Sequence, residues 1–180
     1  MSNFPIVKID DEVKYKSDIG YRQLLHFFSD NNSLIRRSVW IDYPYPDVDF
    51  AEDQLWAKTV IESGFKKGYA HDAIVYHSHK YTLFERLQRS FDEAYAFNKF
   101  FGYELCPSPS HLFVNWLKLN YHDFLYLFKM KFEIQNFKYF FLSPIDNLMK
   151  LCGHFLGNHS HLIPFGFIKY FSRDKRLFEK

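Results

Sequence analysis

The sequence predicts a mixed α/β unit followed by an α-helical, aromatic-rich tail, and three observations predict it. Apolar residues recur at helical spacing after Ala51 and again after Leu83. Short, partly β-branched apolar runs lie near 34–41 and 73–77, as strands require. Beyond Gly102 the chain passes through Cys-Pro-Ser-Pro-Ser into a stretch dominated by Phe, Tyr, Leu and Lys. The change in character places the α/β part over 1–104 and the tail over 105–180.

At the start, Phe4, Ile6, Val7 and Ile9 alternate with Asp10, Asp11 and several lysines, a pattern open between a strand and an irregular beginning. Residues 21–28 are apolar and aromatic, and Ser29-Asp30-Asn31-Asn32-Ser33 then supplies side chains that favour turns and caps. Residues 34–40 resume as a strand or a short helix, and Pro44 and Pro46 make 42–49 a loop. From Ala51 a helix collects Leu55, Trp56, Val60 and Ile61 on one face, with Gln54, Lys58 and Glu62 facing water. Glu52 and Asp53 fall in its first turn, where the helix dipole favours carboxylates by roughly 0.3–1 kcal/mol each. Gly64 is its stop. The run 73–76 has the composition of a buried strand. A second helix, from about Leu83 to Phe101, turns Phe84, Leu87, Phe91 and Ala94 inward and Glu85, Arg86, Arg89 and Glu93 outward, and ends at Gly102. In the tail, Phe113, Trp116, Leu117, Phe124 and Phe128 interleave with Lys118, Lys129 and Lys131. That composition suits an interfacial helix, and equally a helical hairpin packed onto the preceding part.

Bulk properties exclude several classes. With 23 Lys and Arg against 21 Asp and Glu, the net charge of +2 gives no field for a nucleic-acid partner. Cys106 and Cys152 have no metal-type spacing and are expected to be reduced thiols in a cytosolic setting. No N-terminal signal pattern is present, and no apolar run reaches the roughly 18 residues of a spanning helix, so any membrane is expected to be met at its surface.

The chemical signal is concentrated between Asp49 and His79. Glu52-Asp53 stands behind a proline-broken loop at a helix entrance, and the run after that helix delivers His77-Ser78-His79. A carboxylate at a loop end can act as general base on a hydroxyl, and a histidine across the same cleft can complete the coordination of a divalent cation. On a continuing strand His77 and His79 point the same way, whereas a strand that stops at His77 leaves only one facing the site. Helix-dipole carboxylates and surface histidines are the purely structural alternative. A His-x-His metallohydrolase is disfavoured, because His154, His159 and His161 fall in the tail and no further His/Asp cluster accompanies the pair.

The runs Asn31-Asn32-Ser33-Leu34-Ile35-Arg36-Arg37, Phe50-Ala51-Glu52-Asp53-Gln54-Leu55-Trp56-Ala57, Gly64-Phe65 and Asp72-Ala73-Ile74-Val75-Tyr76-His77-Ser78-His79 resemble the C-terminal half of inverting, family-two glycosyltransferases of the GT-A fold. The rhamnosyltransferase-like members that build bacterial O-antigen and other surface polysaccharides are the most similar. The resemblance covers about residues 25–102, and Leu142-Ser143-Pro144 with 153–157 extends it more loosely. It implies a partial GT-A-type, Rossmann-like half-domain that lacks the N-terminal nucleotide-binding βαβ part. It also implies transfer of a sugar such as rhamnose from a nucleotide-sugar donor to a lipid-linked saccharide acceptor.

By that resemblance Asp53 is the base and Glu52 shapes the acceptor site beside it. Asn31, Asn32, Ser33 and Trp56 line the acceptor cleft, and His77, with His79 as the second candidate, completes a Mg²⁺ or Mn²⁺ site. Arg36 or Arg37 would meet phosphate or acceptor. One departure stands out. The family's Asp-x-Asp metal motif has no counterpart, since Asp47-x-Asp49 lies too close to Glu52-Asp53, and seven glycines leave no phosphate-cradling loop. The cation site is therefore expected to be complete only with a donor half, the chain being a split subunit, a truncated copy or a fragment, and a separate chain that supplies this half would also pair the open sheet edge. The expected location is cytoplasmic, peripheral at the inner membrane face through the tail. The alternative is a non-catalytic truncated remnant or accessory module that binds membrane or a partner chain.

Overall fold

The computed structural model describes residues 5–129 and 136–174, so that Phe4 and Lys131 fall outside the described residues. The chain forms two compact units, Met1–His79 and Lys80–Lys180.

In the first unit, strand β1 (Ile6–Val7) is followed by helices α1 (Glu12–Ser17) and α2 (Ile19–His26), a 3₁₀ turn at Asp30–Asn32, helices α3 (Arg37–Asp42) and α4 (Glu52–Glu62), and strand β2 (Lys67–Gly68). The strands pair antiparallel, Ile6 opposite Gly68 and Val7 opposite Lys67. Asp11 and Asp18 cap α1 and α2 by accepting from the amides of Lys14 and Tyr21, the role short polar side chains play at helix starts. The core is Val39, Trp56, Ala57 and Val60, flanked by Phe28, Ile35, Tyr43, Tyr45 and Phe65. Helix α4 buries Trp56, Val60 and Ile61 as its periodicity predicts, and Gly64 ends it at φ 84°, a left-handed conformation that costs glycine nothing.

Two expected strands are corrected. Residues 37–42 form helix α3, the other option left open for that run. Residues 73–77 are irregular and exposed, with Ile74 at 79% and Tyr76 at 106%. A strand needs a ladder to join and a face to bury, and this backbone finds neither. The Ala73 amide donates to the Ala70 carbonyl (3.1 Å), the Ile74 amide to Asp72 (3.1 Å), and the Ala73 carbonyl accepts from Asn32 Nδ2 (2.6 Å).

The second unit is helical: α5 (Leu83–Phe101), α6 (Pro109–Lys129), α7 (Tyr139–Asn158), a 3₁₀ turn at Ser160–Leu162, and α8 (Phe165–Phe171). A Thr82–Glu85 capping box opens α5 and Gly102 closes it at φ 68°. Helix α7 lies against α5 through two glycines one turn apart. A Cβ on Gly153 would stand 2.3 Å from the Leu87 carbonyl oxygen, and one on Gly157 would stand 2.4 Å from that of Phe91.

Leu87, Phe91 and Ala94 of α5 are buried as predicted, but Phe84 is 52% exposed. Two members of the expected outward set are instead engaged by α7. Arg86 pairs with Asp146 (3.2 Å) and Glu93 with His154 (3.2 Å). On another side, buried Asp92 accepts from Ser172 Oγ (2.6 Å) and from the amides of Arg173 (2.9 Å) and Asp174 (3.0 Å). Helix α5 is thus the axis of the second unit, and the division falls between His79 and Lys80 where the sequence suggested 104. The proline-bearing link after Gly102 is packed. Tyr103 and Cys106 are buried, and the Cys106 amide donates to Asn158 Oδ1 (2.8 Å). Helix α6 joins α7 by Trp116 Nε1 donating to the Pro144 carbonyl (2.8 Å) and by Asn147 donating to Asn120 (2.9 Å) and Asp123 (2.7 Å). Among the described residues no helix is long and apolar enough to cross a membrane.

Candidate functional site

The entrance to α4 is set by an unusual backbone. Ala51, buried at the N-cap, adopts φ 61° and ψ 25°, and among the described residues it is the non-glycine residue with a positive φ. For an L-residue this left-handed conformation costs about 1–2 kcal/mol, which the surrounding core must hold in place. The reversal delivers Glu52 and Asp53, both partly exposed, into the first turn. Asp53 Oδ1 accepts from the Gln54 amide at 2.7 Å. Burial pushes the Asp53 carboxyl above its ordinary value, against the pull of the Gln54 amide; the charges of Glu52 and Asp30 push it further, against the Asp30 amide. A carboxylate raised in this way holds a proton more readily than a free one and is a stronger base.

Those causes place the Asp30–Asn32 turn against the start of α4, since both the charge and the amide of Asp30 act on Asp53. Asn31 donates to Ser29 Oγ (3.0 Å), Asn32 reaches across to the Ala73 carbonyl (2.6 Å), and Ser33 is partly buried in an extended conformation. The turn therefore connects the entrance of α4 to the segment that leads to His77. Tyr45 lies near enough to feel the same carboxylates. Burial raises its hydroxyl, and the charges of Asp30, Asp53 and Glu52 raise it further. Neither Asp30 nor Tyr45 was singled out from the sequence, although Tyr45 sits in the Tyr-Pro-Tyr-Pro loop just ahead of Ala51.

Trp56 is a core residue, 6% exposed, with Nε1 donating to the Tyr43 carbonyl at 2.6 Å and its ring against Phe28 (5.2 Å) and Tyr45 (5.6 Å). It supports the loop that carries Tyr45. Arg36 and Arg37 are exposed at the start of α3.

His77 and His79 are exposed, with Nε2 atoms 2.8 Å apart and rings nearly perpendicular at 85°. One ring donates to the other, as the neutral tautomers allow. Two imidazoles on one cation at about 2.1 Å and a right angle would stand about 3 Å apart, so the pair can offer two nitrogens to a divalent ion. Among the described residues no group of three or more His, Cys, Asp and Glu side chains is placed to hold a metal. The site thus gathers Asp53, Glu52, Asp30 and Tyr45, and ties in residue 73 through Asn32.

The chain is similar to two curated bacterial proteins. It is 28% identical over 173 residues, 91% of its length, to the O-antigen chain rhamnosyltransferase RfbN of Salmonella typhimurium. It is 27% identical over 170 residues, again 91% of its length, to the O-antigen chain rhamnosyltransferase WbaN of Salmonella anatum. The chain spans about half the length of these relatives, 51% and 50% respectively. No protein-family profile and no solved structure matches. This similarity to O-antigen chain rhamnosyltransferases agrees with the resemblance that the motifs carry.

Proposed function

We propose that the chain is the acceptor-side portion of an inverting sugar transferase of the GT-A type, family two. It would move a sugar such as rhamnose from a nucleotide-sugar donor to a lipid-linked saccharide at the inner face of the membrane, during O-antigen or related polysaccharide synthesis. The observation that carries this reading is Asp53, a partly buried carboxylate with a raised proton affinity, fixed at a helix entrance by the left-handed Ala51 in a relative of rhamnosyltransferases.

In the proposed reaction Asp53 accepts the proton of the acceptor hydroxyl as that oxygen bonds to the anomeric carbon. The bond from that carbon to the diphosphate oxygen breaks on the opposite face, and the nucleoside diphosphate leaves with the electron pair. Glu52, Asn31, Asn32 and Ser33 would hold the acceptor near Asp53. His77 and His79 would contribute nitrogens to a Mg²⁺ or Mn²⁺ ion, which when bound offsets charge on the departing diphosphate. The rest of that site would come from a donor-binding half.

The test is a chimera in which this chain replaces the matching half of RfbN, assayed for sugar transfer with and without Asp53→Asn. The substitution should lower turnover by about 10²–10⁴-fold, with the melting temperature little changed. Near-normal turnover would sink the assignment. A non-catalytic module that binds membrane or a partner is the alternative, favoured by the large exposed aromatic side chains of α6 and α7. Titration of the chain alone with Mn²⁺ and a nucleoside diphosphate bears on the donor half. Weak or absent binding agrees with the proposal, and tight binding contradicts it.

A further inference from the structure

We infer that the outer side of α6 is a docking face for an anionic lipid bilayer. At 100° per residue, Phe113, Leu117, Tyr121, Leu125 and Phe128 fall within roughly 120° of arc and run about 22 Å along the helix. All five are exposed, Phe128 at 71% and Tyr121 at 62%. Soluble surfaces scatter large apolar side chains singly, so a continuous stripe of five marks a contact surface. Hydrogen-bonded packing within the unit uses a different arc, that of Leu112, Trp116, Asn120 and Asp123, where Trp116, Asn120 and Asp123 are bonded to α7, and the stripe itself meets α7 near its C-terminal end, where the rings of Phe124 and Phe128 lie against Phe140.

Charge distinguishes the occupant. His111, Lys118, His122 and Lys129, all exposed, occupy the next roughly 40° of arc and form a basic margin along one edge of the apolar stripe. The single carboxylate of α6, Asp123, is turned away from this margin and accepts hydrogen bonds from Asn147 and Ser143. A helix with an apolar stripe, an aromatic content of this kind and a lysine-bearing border free of carboxylates lies in a headgroup region with its lysines toward anionic lipid. A purely apolar protein partner would not call for the one-sided border.

This inference deepens the membrane location of the transferase proposal but rests on the geometry of α6 and not on Asp53, so partition and transfer can fail separately. The full chain is mixed with phosphatidylcholine vesicles, with and without phosphatidylglycerol, at low and high salt, and the bound fraction is read by sedimentation. Binding is expected on the phosphatidylglycerol vesicles and should weaken at high salt. Lys118→Glu with Lys129→Glu should lower partition onto those vesicles about tenfold or more. Leu117→Gln with Phe128→Gln should lower it by a similar factor on both vesicle types. All four side chains are exposed, and of them Phe128 also meets the Phe140 ring of α7, so circular dichroism should be unchanged and the melting temperature little changed, which separates lost docking from lost folding. Three results would each overturn the inference: no binding of the unsubstituted chain to anionic vesicles, binding indifferent to all four substitutions, or a concentration-dependent dimer broken by the Leu117/Phe128 pair. The last would assign the face to a second copy of the chain.

Discussion

Lowering the pH from about 7.5 to about 4.5 should destabilise the first unit by about 2–3 kcal/mol through one buried side chain, His26. The ring is 1% exposed, and its Nε2 lies 2.9 Å from the Tyr15 hydroxyl, which donates its proton to Glu62 at 2.6 Å. That hydroxyl has one proton and gives it to the carboxylate, so His26 must be the donor in the other bond, in its neutral Nε2–H form. Charging the ring adds a proton in a desolvated place, and burial pushes the pKa down from 6.5 to about 4. The folded state therefore binds this proton less readily than the unfolded chain. The stabilisation is complete above pH 6.5, fades as pH falls, and is gone below about 4. Two and a half units at about 1.36 kcal/mol each bound the full effect at about 3 kcal/mol. The assay is denaturant unfolding followed by tryptophan fluorescence, comparing the chain with His26→Gln, whose stability should lack this component of the acid decline. An NMR titration of the ring checks the cause directly. A His26 pKa at or above 6, or an equal acid decline in the variant, would refute the reasoning.

Ala51→Val forces a β-branched residue into the left-handed region and should cost about 2–3 kcal/mol, read as a lowered melting temperature, while Ala51→Gly should change stability by no more than about 1 kcal/mol. Gly157→Ala sets a methyl 2.4 Å from the Phe91 carbonyl and should cost about 1–3 kcal/mol in chemical denaturation, whereas Gly166→Ala, with nothing within 4 Å, should shift stability by under about 0.5 kcal/mol. Asp92→Ala leaves the buried Ser172 hydroxyl and the amides of Arg173 and Asp174 without their acceptor. It should cost about 2–4 kcal/mol and raise hydrogen exchange at 173 and 174.

What was legible in the sequence was what short stretches decide. The periodicity of Trp56, Val60 and Ile61 and the stops at Gly64 and Gly102 are local properties, and α4 and α5 follow them closely. The run 73–77 was misread because an apolar, β-branched segment has the same composition whether or not a partner strand exists, and Asn32, 41 residues away, claims its carbonyl. The outward charges of α5 were half misread for a similar reason. Arg86 and Glu93 look solvent-facing until α7, some 60 residues later, supplies Asp146 and His154. At the site, Glu52 and Asp53 could be picked out because they flank a proline-broken loop. Asp30 and Tyr45 could not, because their part rests on the fold of the turn and loop around Asp53. Trp56 occupies an apolar helical face that reads alike for a core pillar and a cleft wall, and only its hydrogen bond to Tyr43 tells them apart.

The role of Asp53 is tested most directly by the pH dependence of transfer in the chimera with RfbN. The rate should fall on the acid side with a midpoint above the ordinary value of an aspartate, since burial raises that carboxyl, and Asp53→Asn should abolish both the limb and the bulk of the rate. An Asp53→Asn chimera that transfers at a near-normal rate with the same acid limb would contradict the account.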